Sequence, residues 1–233
     1  MLPEGHIAEM IWKHAFEQDV RNFVEKYLKP GMCVLNIGAN AGLYTLMAAK
    51  IVGSKGVVHA FEPATLNFDR LKRNVRLNGF TNVIINQMAI SDFSGSLAIL
   101  PDPAHPKLDS HYFVQRIIDG KPPEGVIELM TCDTLDNYWM KICDGVLTKV
   151  DMIILDVEGG ELDVFKGAQA TFEISPNLIM MAECTSKLDE IETLLRTNDF
   201  KFFKWNIASS MLEEISMQRG NIFAFRKKIS SNE

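Results

Sequence analysis

The chain lacks the sequence features that mark several classes of protein. Its four cysteines are widely spaced and include no Cys-x-x-Cys pair, which argues against a zinc site or a disulfide framework. No apolar run reaches the ~18 residues that a membrane-spanning helix needs, and the N-terminus lacks the basic start and continuous apolar core of a signal peptide. We therefore expect a cytoplasmic protein with reduced thiols and no membrane partner.

Long runs of lysine or arginine are also missing, and the 233 residues carry a formal net charge of −6. Sequence-independent binding to phosphates needs a basic surface, so we expect no nucleic-acid partner. Hydrophobic residues make up 47% and charged residues 23%, which is an ordinary globular balance. The length suits one α/β domain with a small appendage, and nothing in the sequence indicates an oligomeric state.

Strand-like and helix-like segments alternate along most of the chain, among them a strand over 82–90 and a helix over 161–172. This alternation predicts parallel strands joined by right-handed crossovers. Two final strand-like segments, 200–205 and 221–225, are joined by a polar connection without a helical pattern, which predicts an antiparallel hairpin at the sheet edge. The sequence thus indicates an α/β fold, a mostly parallel sheet with helices on both faces.

The chain divides into an N-terminal helical segment and one main domain. Residues 1–30 show helical spacing of apolar side chains until a Lys-Pro-Gly stretch ends the helix, and we predict that this segment packs on the core. Residues 31–228 then form the main domain. The pattern loosens over about 93–125, where we predict an irregular insertion that carries substrate loops. Within it, residues 96–100 and 112–118 could form short strands.

A glycine turn and a later carboxylate form the most informative pattern in the sequence. The apolar run Val34–Ile37 ends in Gly38-Ala39-Asn40-Ala41-Gly42, and a helix-like segment follows. A second apolar run ends in Phe61-Glu62-Pro63, roughly 20 residues after the glycines, which is the spacing between a glycine turn and a ribose-binding acid. Glycines let the backbone approach a ligand, and a carboxylate can accept hydrogen bonds from both ribose hydroxyls. We therefore predict a nucleoside site at the carboxyl ends of the strands.

The identity of the nucleoside is indicated by what the glycine turn leaves out. A dinucleotide fingerprint needs glycine at its first, third and sixth positions, but Asn40 takes the third position here and Leu43 the sixth. The middle glycine lets a pyrophosphate approach, and a ligand without phosphates does not need it. Several loops at the predicted carboxyl ends are acidic, which suits a sulfonium and an ammonium cation and would repel a pyrophosphate. Both observations favour S-adenosylmethionine over NAD.

In three blocks the sequence resembles the class I methyltransferases, and more narrowly the FkbM family. The blocks are Val34–Thr45, Val58–Pro63 and Ile154–Glu161. The resemblance implies a Rossmann-like fold with a seven-stranded sheet, S-adenosylmethionine as the cofactor, and O-methylation of a hydroxyl on a sugar or another small-molecule or natural-product acceptor. The chain departs from the family pattern at Asn36, where Asp is usual, and at Ile154, where Lys is usual.

The candidate cofactor-binding residues lie in the glycine turn and in the loops after the neighbouring strands. They are Asn36, Gly38, Ala39, Asn40, Gly42, Tyr44, Glu62, Pro63, Met88, Ala89 and Asp156. A hydroxyl acceptor needs a base that helps to remove its proton. Asp156 is the first candidate for that base because it directly follows a buried strand, and a helix cap is its alternative role.

Three further residues are candidates for catalysis. Glu158 and Glu161 could orient the acceptor or accept its proton, and with Asp156 they could hold a hard cation through oxygen ligands, although we predict a site without a metal. His111 lies in the predicted insertion and is another candidate base, with an ordinary surface-loop histidine as the alternative.

Other functions stay open beside the leading one. The same fold could methylate RNA or protein, although the acidic net charge counts against RNA. A non-catalytic module could retain the cofactor pocket, and the unusual Asn36 and Ile154 keep that interpretation open. A nicotinamide oxidoreductase is disfavoured by the missing middle glycine. No residue pattern specifies the acceptor.

Overall fold

The computed structural model describes residues 17–101, 112–117, 120–142, 148–157 and 159–226. Within these ranges, no helix has both the length and the apolar character needed to cross a membrane.

The described residues form seven α-helices and twelve strands. The helices are α1 Gln18–Tyr27, α2 Leu43–Val52, α3 Thr65–Leu77, α4 Leu135–Ile142, α5 Glu161–Lys166, α6 Gln169–Ile174 and α7 Leu188–Thr197. The strands are β1 Cys33–Ile37, β2 Val57–Phe61, β3 Val83–Asn86, β4 Ala89–Ile90, β5 Gly95–Pro101, β6 Tyr112–Arg116, β7 Glu128–Asp133, β8 Met152–Leu155, β9 Ile179–Cys184, β10 Phe200–Asn206, β11 Met211–Glu214 and β12 Gly220–Arg226.

Eight strands of the described residues form the main sheet, in the order β11-β10-β12-β9-β8-β1-β2-β3. Strand β1 pairs in parallel with β2 and β8, and parallel pairing continues to β3 on one side and to β9 on the other. Strand β12 is antiparallel to β9 and β10, and β10 is antiparallel to β11. The direction of strand addition reverses between β1 and β8, and ligands of open α/β sheets bind beside the carboxyl ends of strands at such a point.

The side chains of β1 alternate between two hydrophobic cores on opposite faces of the sheet. Cys33, Leu35 and Ile37 pack on the face covered by α4, α5, α6 and α7, whereas Val34 packs on the face covered by α1 and α2. All five residues of β1 are buried. A strand covered on both faces reads as a continuous apolar run, and this explains the apolar sequence before the glycine turn.

A second, smaller sheet packs beside the carboxyl end of β2. Its order is β4-β7-β5-β6, with β5 antiparallel to β6 and β7, and β4 parallel to β7. Leu97, Ile99, Met130 and Cys132 of this sheet form an apolar cluster with Ala64, which directly precedes α3. The cluster fixes the small sheet against the loop that follows β2.

The α/β class and the mostly parallel sheet are confirmed, but several details differ from the sequence predictions. The main sheet has eight strands in the described residues, one more than predicted, because β11 adds to its edge. Residues 82–90 form two strands in different sheets rather than one. Within 93–125, β5 and β6 overlap the short strands that the sequence suggested at 96–100 and 112–118. The helix predicted over 161–172 divides at Gly167, where a β-carbon would lie 2.0 Å from the carbonyl oxygen of Ser91.

The buried imidazole of His59 makes stability dependent on pH. His59 in β2 is 4% exposed, and its Nδ1 lies 2.8 Å from the Tyr138 hydroxyl oxygen. Burial lowers the pKa of His59 from 6.5 to about 4. Over that interval the unfolded chain takes up a proton that the folded chain does not, so the stability present above the unfolded pKa is lost as the pH falls.

We predict that the free energy of unfolding of the wild type, minus that of His59→Gln, decreases as the pH is lowered from about 6.5 to about 4. The slope is at most about 1.4 kcal/mol per pH unit. Urea denaturation at several pH values measures it, and subtracting the variant removes the titration of all other groups. A difference that does not change with pH would contradict the neutral, buried state of His59.

Candidate functional site

A cavity of about 410 Å³ lies at the carboxyl ends of β1, β2 and β8, which is within the roughly 300–1,000 Å³ of small-molecule sites. Gly38 follows β1, Glu62 follows β2 and Asp156 follows β8, and all three line this cavity. The sheet topology therefore brings together the glycine turn, the predicted ribose-binding acid and the candidate base, although they are far apart in the sequence.

Gly38 allows the loops after β1 and β8 to converge. Its φ is +81°, and a β-carbon there would lie 1.7 Å from the carbonyl oxygen of Asp156. The N–H groups of Gly38 and Ala39 donate to the carbonyl oxygen of Phe61 at 3.0 and 2.9 Å, and the N–H of Asp156 donates to that of Ile37 at 3.0 Å. Backbone hydrogen bonds thus tie three strand ends together beside the cavity.

Glu62 is a buried carboxylate held by backbone donors. It is 6% exposed, its Oε2 accepts from the N–H of Asn40 at 2.8 Å, and its Oε1 accepts from the N–H of Ala64 at 3.0 Å. Burial raises the pKa of Glu62 to about 7, and the two backbone hydrogen bonds oppose that rise. Each carboxylate oxygen has a further lone pair, so Glu62 can accept hydrogen bonds from two hydroxyl groups of a ligand in the cavity.

Asn40 explains how the turn functions without its middle glycine. Its φ is +48°, a left-handed conformation that Asn tolerates better than most residues. Its side-chain Oδ1 accepts from the N–H of Ala41 at 2.7 Å, which stabilises the turn locally. The backbone N–H of Asn40 is thereby aimed at the Glu62 carboxylate rather than left for a phosphate.

The small sheet supplies an apolar wall of the cavity, beyond Glu62. This wall consists of Leu97, Ile99, Val114 and Met130, and the connection after β3 adds Met88, Ala89 and Ser91. Arg116 lies at the same wall, where its guanidinium group forms an ion pair with Asp92 and lies 4.0 Å from the centre of the Phe93 ring. The wall can make apolar contacts with the face of a flat aromatic ring such as an adenine.

The loop after β8 forms the other end of the cavity. Asp156, Val157, Gly159 and Gly160 line it from this loop, and Asp163 lines it from α5. Ser186 and Lys187, which follow β9, also line it. Glu161 does not line the cavity. It is 1% exposed, and its Oε1 accepts from the N–H of Gly159 at 2.9 Å. Burial raises the pKa of Glu161, and the nearby Glu183 carboxylate raises it further. Glu161 therefore stabilises the loop after β8 through its hydrogen bond with Gly159.

Seven of the predicted cofactor-binding residues line the cavity, and four do not. Those in the lining are Gly38, Asn40, Glu62, Pro63, Met88, Ala89 and Asp156. Asn36 is buried on the α2 face of β1, because side chains alternate along a strand, and its Nδ2 donates to the Thr45 hydroxyl oxygen at 2.8 Å. Asn36 thus ties β1 to α2, and its role in cofactor binding stays a prediction.

The other three lie close to the cavity without lining it. Ala39 contributes the backbone hydrogen bond to Phe61 already described. Gly42 is needed for packing, since a β-carbon there would lie 2.6 Å from Cδ1 of Leu71. Tyr44 donates its hydroxyl to the Glu17 carboxylate and so connects α2 to the start of α1.

Two catalytic candidates, Glu158 and His111, lie outside the described residues. Among the residues that are described, no group of three or more His, Cys, Asp or Glu side chains could hold a metal ion. Asp156 is thus the catalytic candidate that the described structure places in the cavity lining.

Sequence reasoning missed several lining residues, namely Asn67, Ser91, Arg116, Asp163, Ser186 and Lys187. For Ser186 and Lys187 a signal was present, because they closely follow the apolar segment that forms β9, and loops at carboxyl ends face the ligand. The period-two alternation of Leu97 and Ile99 could have indicated an apolar face. Nothing local marked that face as part of the site.

Comparisons with known proteins were made for both sequence and structure. A family model described as "Methyltransferase FkbM domain" matches residues 36–202. The hexuronic acid methyltransferase AglP of Haloferax volcanii is 29% identical over 152 residues, which cover 65% of this chain and 56% of that protein. The 31-O-demethyl-FK506 methyltransferase FkbM of Streptomyces tacrolimicus is 25% identical over 217 residues, which cover 83% of this chain and 82% of that protein.

Among solved structures, a SAM-dependent O-methyltransferase from Thermotoga maritima superposes with a TM-score of 0.51 at 13% identity. The match covers 98% of this chain and 74% of that one. At this level of identity the likeness concerns the fold, and it agrees with the Rossmann-like sheet described above.

We predict that Gly38→Ala is more destabilising than Gly31→Ala by about 1–3 kcal/mol, the usual cost of overpacking. The two glycines have similar φ values of +81° and +86°, but a β-carbon at Gly31 would meet nothing within 4 Å. Gly31→Ala therefore reports the cost of a left-handed alanine alone, and the difference reports the clash with Asp156. Urea denaturation of both variants measures it, and equal losses of stability would show that the loops can separate at no cost.

Proposed function

The chain belongs to the FkbM methyltransferase family, and we propose that it methylates a hydroxyl oxygen of a small-molecule acceptor such as a sugar. S-adenosylmethionine-dependent methyl transfer is the reaction of the family. The oxygen acceptor is supported by the two relatives, one named for a hexuronic acid substrate and the other for a 31-O-demethyl substrate.

The observation that carries the proposal is the geometry of Glu62 in the cavity. A buried carboxylate whose backbone donors leave one lone pair free on each oxygen suits the paired hydroxyls of a ribose. The apolar wall beyond it suits an adenine. Asn40 turns its N–H toward Glu62, which leaves no glycine-lined cradle for a pyrophosphate. These features fit S-adenosylmethionine better than a dinucleotide.

At the other end of the cavity, Asp156 acts as the base. When bound, the cofactor supplies a methyl group already activated by a sulfonium. The protein must then hold the acceptor oxygen in line with that methyl group and help to remove its proton. The Asp156 backbone is fixed by its hydrogen bond to Ile37 and by its close approach to Gly38. The Asp156 side chain is therefore attached to a rigid part of the backbone at the end of β8.

We predict that Glu62→Gln weakens binding of adenosine and of S-adenosylhomocysteine about 10–100-fold, which corresponds to losing charge-assisted hydrogen bonds of about 1.5–3 kcal/mol. Isothermal titration calorimetry measures the loss. Glu192→Gln is a matched control, since Glu192 lies on α7 in a surface ion pair with Arg196 and should leave affinity unchanged. A loss of less than about threefold would remove Glu62 from the ribose site.

The same residue should make nucleoside binding dependent on pH. Because the pKa of Glu62 is raised to about 7, its carboxyl group takes up a proton as the pH falls through neutrality, and it then has fewer acceptor sites. We predict that the wild-type affinity for adenosine decreases between about pH 8 and about pH 6, by at most about tenfold per pH unit. Glu62→Gln should show no such dependence. An identical profile for both proteins would assign the titration to another group.

We predict that Asp156→Asn lowers turnover by about 10²–10⁴-fold, the usual contribution of a general base, while affinity for S-adenosylhomocysteine changes by less than about threefold. Turnover is measured by mass spectrometry with an acceptor found by screening hydroxylated compounds for the mass gain of one methyl group. Asp189→Asn, at an exposed position on α7, is the control. Unchanged turnover in Asp156→Asn would exclude Asp156 as the base.

A further inference from the structure

Five described residues in the cavity lining carry charge, and the proposed function accounts for two of them. Glu62 serves the ribose and Asp156 the acceptor hydroxyl. Arg116 is already paired with Asp92 and lies over the Phe93 ring. The charged residues left without a role in the cavity are Asp163 and Lys187.

Lys187 lies at the end of the cavity where the acceptor must bind. It follows β9 and directly precedes α7, and it shares its part of the lining with Ser186 and with the loop that begins at Asp156. The nucleoside end, with Glu62 and the apolar wall of the small sheet, is formed by other elements. A cation at this place therefore lies away from the adenosine, in the part of the lining that contains Asp156 and that the proposed function assigns to the acceptor hydroxyl.

The ammonium group of Lys187 is available to a ligand. Among the described residues, none forms an ion pair or a hydrogen bond with it. Lys187 is solvent-exposed, so its charge costs little to maintain in the absence of ligand, and it is positioned at the mouth of the cavity. An ammonium group beside partly desolvated walls attracts an anion more strongly than one on an open surface.

The backbone at Lys187 is also unusual. Its φ is +51°, in the left-handed region that costs a non-glycine residue about 1–2 kcal/mol. Lysine thus stands where glycine or asparagine would be the easier choice. Such conformations persist where the surrounding structure determines them, and they are concentrated at binding sites.

From these observations we infer that the methyl acceptor carries an anionic group, such as a carboxylate, which binds the Lys187 ammonium group while the reacting hydroxyl lies at Asp156. The inference rests on the proposed function and narrows its substrate class. Asp156 and Asp163 repel an anion from their own part of the lining, so the negative group is directed to Lys187. Asp163 and Ser186 can bind further hydroxyls of the same molecule.

Binding of D-glucuronate and D-glucose tests the inference, because these sugars differ in the group at carbon six, a carboxylate in one and a hydroxymethyl in the other. Dissociation constants are measured by NMR titration for the protein with and without S-adenosylhomocysteine. We expect the wild type to bind glucuronate about tenfold more tightly than glucose or better, as a charge-assisted hydrogen bond allows. Lys187→Gln should bring this ratio close to one.

Two further variants distinguish the effect of a cation at position 187 from the effect of the protein's overall charge. Lys187→Arg keeps the cation and should retain most of the preference for glucuronate. Lys204→Gln removes a cation from an exposed position on β10, outside the cavity lining, and should leave the ratio unchanged. A ratio near one in the wild type, or a preference that persists in Lys187→Gln, would overturn the inference.

These outcomes are distinct from a failure of the proposed function. If S-adenosylhomocysteine binds in a Glu62-dependent manner but glucuronate has no advantage over glucose, the anionic acceptor is wrong and the methyltransferase site stands. If the protein does not bind S-adenosylhomocysteine, the proposed function fails. In that case the sugar titrations without S-adenosylhomocysteine still decide whether Lys187 selects an anion.

Discussion

The close approach of Gly38 to the Asp156 carbonyl oxygen is the constraint on which the site depends. Strands β1 and β8 are parallel neighbours in which Ile37 pairs with Leu155, so the chain leaves both strands side by side. Only a residue without a β-carbon lets the two loops converge there. The hydrogen bonds of Gly38 and Ala39 to Phe61 then fix the end of β2 to the same point. Functional side chains are consequently supported by rigid backbone, which is how a site keeps its geometry.

Glu62 shows how the cost of burying a charge is coupled to binding. A carboxylate removed from water is unfavourable unless hydrogen bonds replace the lost solvation. The N–H groups of Asn40 and Ala64 replace part of it, but the pKa of Glu62 is still raised to about 7. In the proposed function, two hydroxyl donors from a ribose would supply part of the remainder and favour the ionised form. Nucleoside binding and ionisation of Glu62 would therefore favour each other, because the hydroxyl donors replace solvation that the buried carboxylate lacks.

The parts of the site that the sequence predicts are those set by local pattern together with sheet topology. Gly38, Glu62 and Asp156 each follow a recognisable strand, and parallel strands place their carboxyl ends together. The direction of the Asn36 side chain could not be predicted, because β1 is buried on both faces and its sequence does not reveal which side chains point toward α2. The small sheet was harder still. Its apolar face joins Leu97 to Met130 through antiparallel pairing between distant segments, and such long-range pairing leaves only a weak local signal.

The distribution of charge along the cavity favours one orientation of the acceptor. The end with Glu62 offers apolar side chains, that buried acid and the paired Arg116, whereas the other end combines Asp156, Asp163 and Lys187. An acceptor that binds with its anion at Lys187 gains a charge-assisted hydrogen bond, and the reversed orientation brings that anion against Asp156. A difference of about 1.5–3 kcal/mol between the two orientations corresponds to roughly 10–100-fold. The choice of which hydroxyl is methylated can thus follow from the charge of the acceptor as well as from its shape.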